Sequence, residues 1–469
     1  MIIAATADPA RAPAPPGGIL VSGALSDFPV LFRDGDAYLK VDLSGAFGAS
    51  SDGNPWFGNP QVFTRGNPLI EDPAVGADTG DRATWAEGFV QAGIGGVTPL
   101  DDAGLYAFGA ASVITPGSVG RDIFRDDARG SVDVEKLYAG LLYEPPDRDL
   151  RLKASVGRQS FSLDNGFLVS QFGSQSNAGP RPGVYLAPRA THDFSILASA
   201  RLGPWSGQGF LLDPNEYEPI ESNTRLLGLN LRREVDDRHA IDATILHVPR
   251  SDTRYRAPDG LTRGREGLWS IAGHLHRRAP RDAPGIWFET ELAHQCHEDF
   301  DMNAWAGYGE VGYIARDTAW TPSASYRLAH FSGDDPDTGT YERFDTLFSG
   351  GLDHWLQGIS INKLLTQANR TTHRLRFNVT PDPALNLTFD LYHHVADDRN
   401  NLSANPALGT LASPDLGQEA QLVARWALSP SVFLLGIAGV AFPGEAIEAA
   451  TPGPDDPWST LQVQLFWGF

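Results

Sequence analysis

One cysteine, Cys296, and two methionines stand in 469 residues. A lone cysteine excludes an internal disulfide and any CxxC redox or zinc motif, so the fold must hold without covalent staples. No stretch approaches 18 consecutive apolar residues, which excludes helices that cross a bilayer. HExxH, GxSxG and a Gly-rich phosphate loop are missing, and no Ser and His are set together as a surface hydrolase would need. The sequence therefore predicts no catalytic residues, no cofactor and no metal. Basic residues are outnumbered 37 to 58, for a net charge of -21, which speaks against a nucleic-acid partner. No fixed-period repeat is present, and this weakens a propeller.

What the chain does have is period-two alternation. Its last residues place Leu461, Val463, Leu465, Trp467 and Phe469 on one face and Thr460, Gln462, Gln464 and Gly468 on the other. An apolar, aromatic-ended strand at the terminus fits the closing strand of an outer-membrane barrel, with lipid outside and water inside. Eighteen segments of this kind can be marked, from 37–47, 84–95 and 104–114 through to 417–428, 431–442 and 459–469. The connections alternate in length. Long ones such as 48–83, 160–190 and 333–369 follow the odd strands, and short ones such as 145–148, 317–318, 381–384 and 429–430 follow the even strands. Short periplasmic turns and long outer loops are the habit of such barrels, and an even count leaves both termini on the periplasmic side. The expected fold is all-β, an 18-stranded antiparallel transmembrane barrel over residues 37–469. Residues 1–36, rich in Ala and Pro and without a charged start or apolar run, are expected to be a flexible arm of a mature chain lacking a signal peptide. Strand 431–442 is apolar on both faces and fits the alternation least well.

Alternation assigns the lumen. Lys40, Arg151, Lys153, Arg201, Arg232, Arg327, Arg374, Arg376 and Arg425 should face it, with Asp42, Glu87, Asp242, Glu289, Glu291, Glu310, Asp390 and Glu419. These could form an ion-pair lattice that only holds the barrel round. They could equally be a guanidinium track for the carboxylates of a passing solute, since arginine is always charged and forked for carboxylate. Arg158 lies on the wrong parity, but a bulge at Gly157 could turn it inward, and it is predicted as a pore residue. His294 and Cys296 share one strand face while His297 takes the other, so they do not converge on a metal. Asp335, Asp337 and Gly339 resemble only the start of a calcium loop. Six acids of the 333–369 loop, Asp334, Asp335, Asp337, Glu342, Asp345 and Asp353, are expected to hold negative charge outside while the arginines lie within.

Several stretches, in order, carry a family resemblance. They are VGRQSFSLDNGFLVSQFG at 156–173, ESNTRLLGLNL at 221–231, ETELAHQ at 289–295 and AWAGYGEVGY at 304–313, followed by WTPSASYRLAHFSGDDP at 320–336, YERFDTLFSGG at 341–351 and DLGQEAQLVARW at 415–426. From about Asp133 to Phe469 the chain resembles the alginate export family. That resemblance implies an 18-stranded channel with an arginine-rich pore passing an anionic polysaccharide outward, and it places Arg158, within VGRQ, in a family motif. One departure stands out. Where the alginate exporters have a long periplasmic segment between the third-last and second-last strands, this chain has only LSPS at 428–431. The function expected is a monomeric conduit in the bacterial outer membrane, surrounded by lipid and able to meet periplasmic export partners. Two rivals stay open: an uptake porin for small anionic or sugar-like nutrients, and a surface binding protein whose loops plug the lumen.

Overall fold

The computed structural model describes residues 30–170, 183–186, 191–257, 259–350, 354–402, 404–451, 453 and 456–468. Within them, eighteen long strands form one antiparallel sheet that closes on itself. In chain order they are β1 (Ala37–Gly53), β2 (Arg82–Pro99), β3 (Leu105–Arg121), β4 (Asp133–Tyr143), β5 (Leu150–Arg158), β6 (Phe194–Leu202), β7 (Trp205–Asp213), β8 (Arg225–Glu234) and β9 (His239–Arg250). The second half comprises β10 (Leu268–Arg277), β11 (Gly285–His297), β12 (Ala304–Ile314), β13 (Ser323–Phe331), β14 (Arg370–Asp382), β15 (Leu385–Val395), β16 (Asp415–Ser429), β17 (Val432–Pro443) and β18 (Trp458–Gly468). The barrel closes where β1 pairs with β18, from Ser44 opposite Gly468 to Gly53 opposite Ser459. Closure leaves no edge strand with unpaired backbone groups, the condition for a sheet in hydrocarbon.

The expected sorting of side chains is present. On β14, Leu375 and Phe377 are exposed on the outer face, while Arg374 is buried and Arg376 half-buried on the inner one. On β18, Leu461, Val463 and Leu465 point out and Thr460, Gln462 and Gln464 point in. Phe469 and the arm through residue 29 lie outside the described residues. Residues 30–36 do not belong to an arm. Val30–Asp34 pairs with the start of β1 in a hairpin turning at Gly35 and Asp36.

The three long outer connections predicted from length fold back onto or into the barrel. Residues 54–81 pack Trp56 and Phe57 against Trp458, whose indole donates to Asp52 across the closing seam. The connections 159–193 and 332–369 meet each other, since Val169 bridges to Phe348 and Trp355 Nε1 donates to Asn165 Oδ1 at 3.1 Å. Leu186 and Ile359 from these loops pack against Leu435 and Ile437 of β17. That contact explains the strand apolar on both faces: one face meets lipid and the other meets a plug.

Candidate functional site

The lumen holds its charges in three groups. The first lies on β12 to β16. Register puts Glu310 opposite Arg327, Arg327 opposite Arg374, and Arg376 opposite Asp390. Arg374 binds Glu310 at 2.6 Å, and Arg376 grips Asp390 through Nε at 2.7 Å and Nη2 at 2.9 Å. Like charges directly across a strand pair repel, so the Arg327–Arg374 neighbourhood is tolerated through Glu310 and through what the plug supplies. Arg327 donates to the His354 carbonyl at 2.7 Å and lies over the Trp355 ring at 4.5 Å. Arg370 donates to Asn362 Oδ1 at 3.1 Å. Arg425 reaches Thr388 at 3.4 Å and shares with Leu356, Ile359, Arg376, Asp390, Gln421, Val423 and Ile437 a cavity of about 20 Å³, room for roughly one water.

Five nitrogens of this group, Arg327 Nε, Arg370 Nε and Nη2, and Arg374 Nε and Nη1, are buried without a hydrogen bond among the described residues. Guanidinium N–H groups left in this way favour an anionic oxygen strongly, because a charged buried donor lacking a partner is costly. Arg370 shares the parity of Arg374 and Arg376 and belongs to the row, although the lumen residues predicted from alternation did not include it.

The second group surrounds Arg232, which contacts Asp164 at 3.2 Å, Glu234 at 3.0 Å and Asp242 at 3.7 Å. Glu289, Glu291, His274, His276 and Tyr308 lie beside it on β10 to β12. Glu289 accepts from Tyr308 and from Asn165 of the plug. The third group faces inward from β1 to β6. Lys136 binds Asp42 beside Lys40, Arg151 lies 3.6 Å from Glu144 and directly across from Arg201, and Lys153 lies over the Phe108 ring.

Two expectations need correction. Arg158 is not a pore residue: β4 and β5 stay in register through Gly157, so Arg158 keeps the outward face it shares with Leu137 and pairs with Asp193 at the outer rim. The acids of 332–369 are not all a solvated outer lip. Asp334 and Asp345 are buried, Asp335 and Asp337 are exposed, and Asp353 lies outside the described residues.

Glu87 and Glu419, though inward as predicted, hold loops. Glu87 accepts the backbone N–H groups of Val184 at 2.5 Å and Tyr185 at 2.9 Å. Glu419 accepts those of Ile359 at 2.5 Å, Ser360 at 3.1 Å and Ile361 at 2.9 Å. Gly358 allows this approach, with φ of +99° and a Cβ position only 2.8 Å from Glu419 Oε2.

Residues 117–455 match the alginate export family. The chain belongs to that family. No curated protein matches it in sequence. Among solved structures it is similar to Pseudomonas aeruginosa OccK7 (OpdD), with TM-score 0.54, 10% identity, and 93% of this chain and 99% of that one covered. P. aeruginosa OccK5 (OpdH) gives TM-score 0.53 at 8% identity over 92% and 98%. Acinetobacter baumannii OccAB2 gives 0.53 at 10% identity over the same shares. At these identities the likeness speaks for the barrel, and with the family it makes this alginate-export relative an outer-membrane channel protein.

The loop pin is electrostatic. Asp345 takes Arg265 through Nε at 2.7 Å and Nη2 at 3.1 Å, and Tyr255 OH at 2.5 Å. Burial would raise the Asp345 carboxyl, but Arg265 and these hydrogen bonds overcome it and hold it below its ordinary value. A depressed carboxylate stabilises the folded loop above the unfolded pKa of about 3.9, and that contribution is lost as pH falls through the folded value. The 332–369 loop of this family member should therefore resist protease at pH 5 to 7 and become cleavable only below about pH 4. Asp345→Asn should make it cleavable at neutral pH.

Proposed function

We propose that this channel passes an anionic solute, and that the solute is a carboxylated polysaccharide leaving the cell. The observation carrying the proposal is the row Arg327, Arg370 and Arg374, with five buried guanidinium nitrogens lacking partners among the described residues. Outward direction and a polymeric cargo are supported by membership of the alginate export family. The chain acts as a conduit, without chemistry on its cargo, and the plug built from the described residues 159–170, 183–186, 332–350 and 354–369 of the two loops must yield for passage. In planar bilayers under a salt gradient, the open channel is expected to show a reversal potential of anion-preferring sign and to be blocked by an oligouronate from the periplasmic side. A cation-preferring reversal potential would overturn the anionic cargo.

A second reading, uptake of a small anionic solute, is favoured by one feature. Only residues 430–431 connect β16 to β17, so no long segment covers the periplasmic mouth there. Block by the oligouronate from the outer side alone would select uptake. A trace that stays closed after removal of the plug would select the binding-protein alternative.

A further inference from the structure

The second charge group has a geometry that the passage of an anion does not require. Asp164, from the 159–193 plug, Asp242 of β9 and His274 of β10 place one donor atom each within 4.8 Å of the others. His274 is oriented from behind: its Nε2 lies 3.1 Å from Glu289 Oε1, and Glu289 is itself fixed by Tyr308 OH at 2.9 Å and Asn165 Nδ2 at 2.7 Å. The other ring nitrogen, Nδ1, is turned to Asp242 Oδ2 at 3.0 Å. A carboxylate holding the far N–H of an imidazole whose near nitrogen faces further carboxylates is the outer-shell arrangement of histidine metal ligands.

Glu291 supplies an independent sign. It lies directly across from His274 on the inner face, is 6% exposed, and makes no hydrogen bond or ion pair among the described residues. Four carboxylates, Asp164, Asp242, Glu289 and Glu291, face two basic groups, the Arg232 guanidinium and the His274 ring held between Asp242 and Glu289. His276 adds no compensating positive charge, since its Nε2 accepts from Arg232 at 3.0 Å. The group is thus short of positive charge in a place where an unpaired buried carboxylate is costly.

We propose that Asp164, Asp242 and His274, with the unpaired Glu291 across from His274 offsetting the charge, bind one first-row divalent cation of the Zn²⁺ or Mn²⁺ type. Carboxylates with one imidazole suit these ions, whereas the all-oxygen shells of Ca²⁺ and Mg²⁺ do not include the ring nitrogen. Metal–donor distances of about 2.0–2.2 Å require tetrahedral donors roughly 3.3–3.6 Å apart, a small contraction of the cluster. Arg232 keeps Glu234 when the aspartates turn to the ion. Because Asp164 comes from the plug and Asp242 and His274 from strands β9 and β10, the ion would fasten the loop to the wall. This inference is independent of what the channel carries.

The test is calorimetric titration of ZnCl2, and separately MnCl2, into the full chain in detergent after chelation, with MgCl2 as comparison. One equivalent of Zn²⁺ or Mn²⁺ should bind, and Asp164→Asn and Glu291→Gln should each weaken it by at least about tenfold, with Glu289→Gln weakening it about 10- to 100-fold. Asp164 sits on a loop, so its variant leaves the strand pairing intact, and retained heat-resistant migration of each variant on gels verifies the barrel. The cation should also protect the 159–170 segment from protease in the wild type and not in Asp164→Asn. Absence of one-to-one binding, or undiminished binding in both Asp164→Asn and Glu291→Gln, would overturn the site.

Discussion

Replacing Glu419 with alanine is expected to raise the open probability of the channel about a hundredfold. The carboxylate collects the N–H groups of Ile359, Ser360 and Ile361, where the 332–369 loop packs against Val423 of β16 and Leu435 and Ile437 of β17. Hydrogen bonds to a charged group contribute about 1.5–3 kcal/mol each. After alanine removes the acceptor, water that enters can satisfy part of what is lost, so the net change is smaller than the sum. A net loss of about 2.7 kcal/mol already shifts a closed-to-open ratio a hundredfold. Single-channel recording measures it directly. Glu87→Ala, which frees Val184 and Tyr185 of the neighbouring loop, gives the comparison. Unchanged open probability in Glu419→Ala, in a barrel that still migrates as folded, would mean that the 354–361 segment does not close the path.

How much of this was legible in the sequence follows from what parity can encode. In a strand, a side chain's face is set by position alone, so Arg374 and Arg376 could be assigned inward and Leu375 and Phe377 outward from one segment. Eighteen strands and the alternation of short and long connections follow from the same rule. Parity is silent on what a loop does once it leaves the sheet. Glu419 reads as a lumen acid, yet its partners are backbone amides 58 to 60 positions away, and nothing local announces them. The apolar inner face of 431–442 was the one available signal, because a lumen strand has no reason to bear Leu435 and Ile437 unless something apolar covers them. Arg158 failed for a related reason: the neighbouring glycine suggested a bulge, but Gly157, although at positive φ, pairs with Tyr138 in register and so keeps the face. Asp164, a non-glycine residue at positive φ among Asp242 and His274, joins residues far apart in sequence and was likewise hidden.

The double variant Arg374→Gln/Arg376→Gln is expected to abolish the anion preference of the open channel. In the wall of β12 to β16, the five guanidiniums of Arg327, Arg370, Arg374, Arg376 and Arg425 stand against three carboxylates, Glu310, Asp390 and Glu419. Two positive charges remain in the wild type and none in the variant. A wild-type preference of about tenfold, worth about 1.4 kcal/mol, should therefore fall to near unity. The substitution also strips Glu310 and Asp390 of their partners, and breaking a buried ion pair from one side destabilises by about 3–5 kcal/mol. Adding Glu310→Gln and Asp390→Asn removes that penalty and restores a net of two positive charges, because Arg327, Arg370 and Arg425 then face Glu419 alone. If net charge alone sets selectivity, the fourfold variant recovers both the reversal potential and block by an oligouronate. With a track of forked donors, the reversal potential returns and the block does not, since Gln presents one amide where the polymer's carboxylates met two bidentate guanidiniums. Recovery of block along with selectivity would leave the arginines as charge carriers only, and a double variant that keeps its anion preference would remove them from the path altogether.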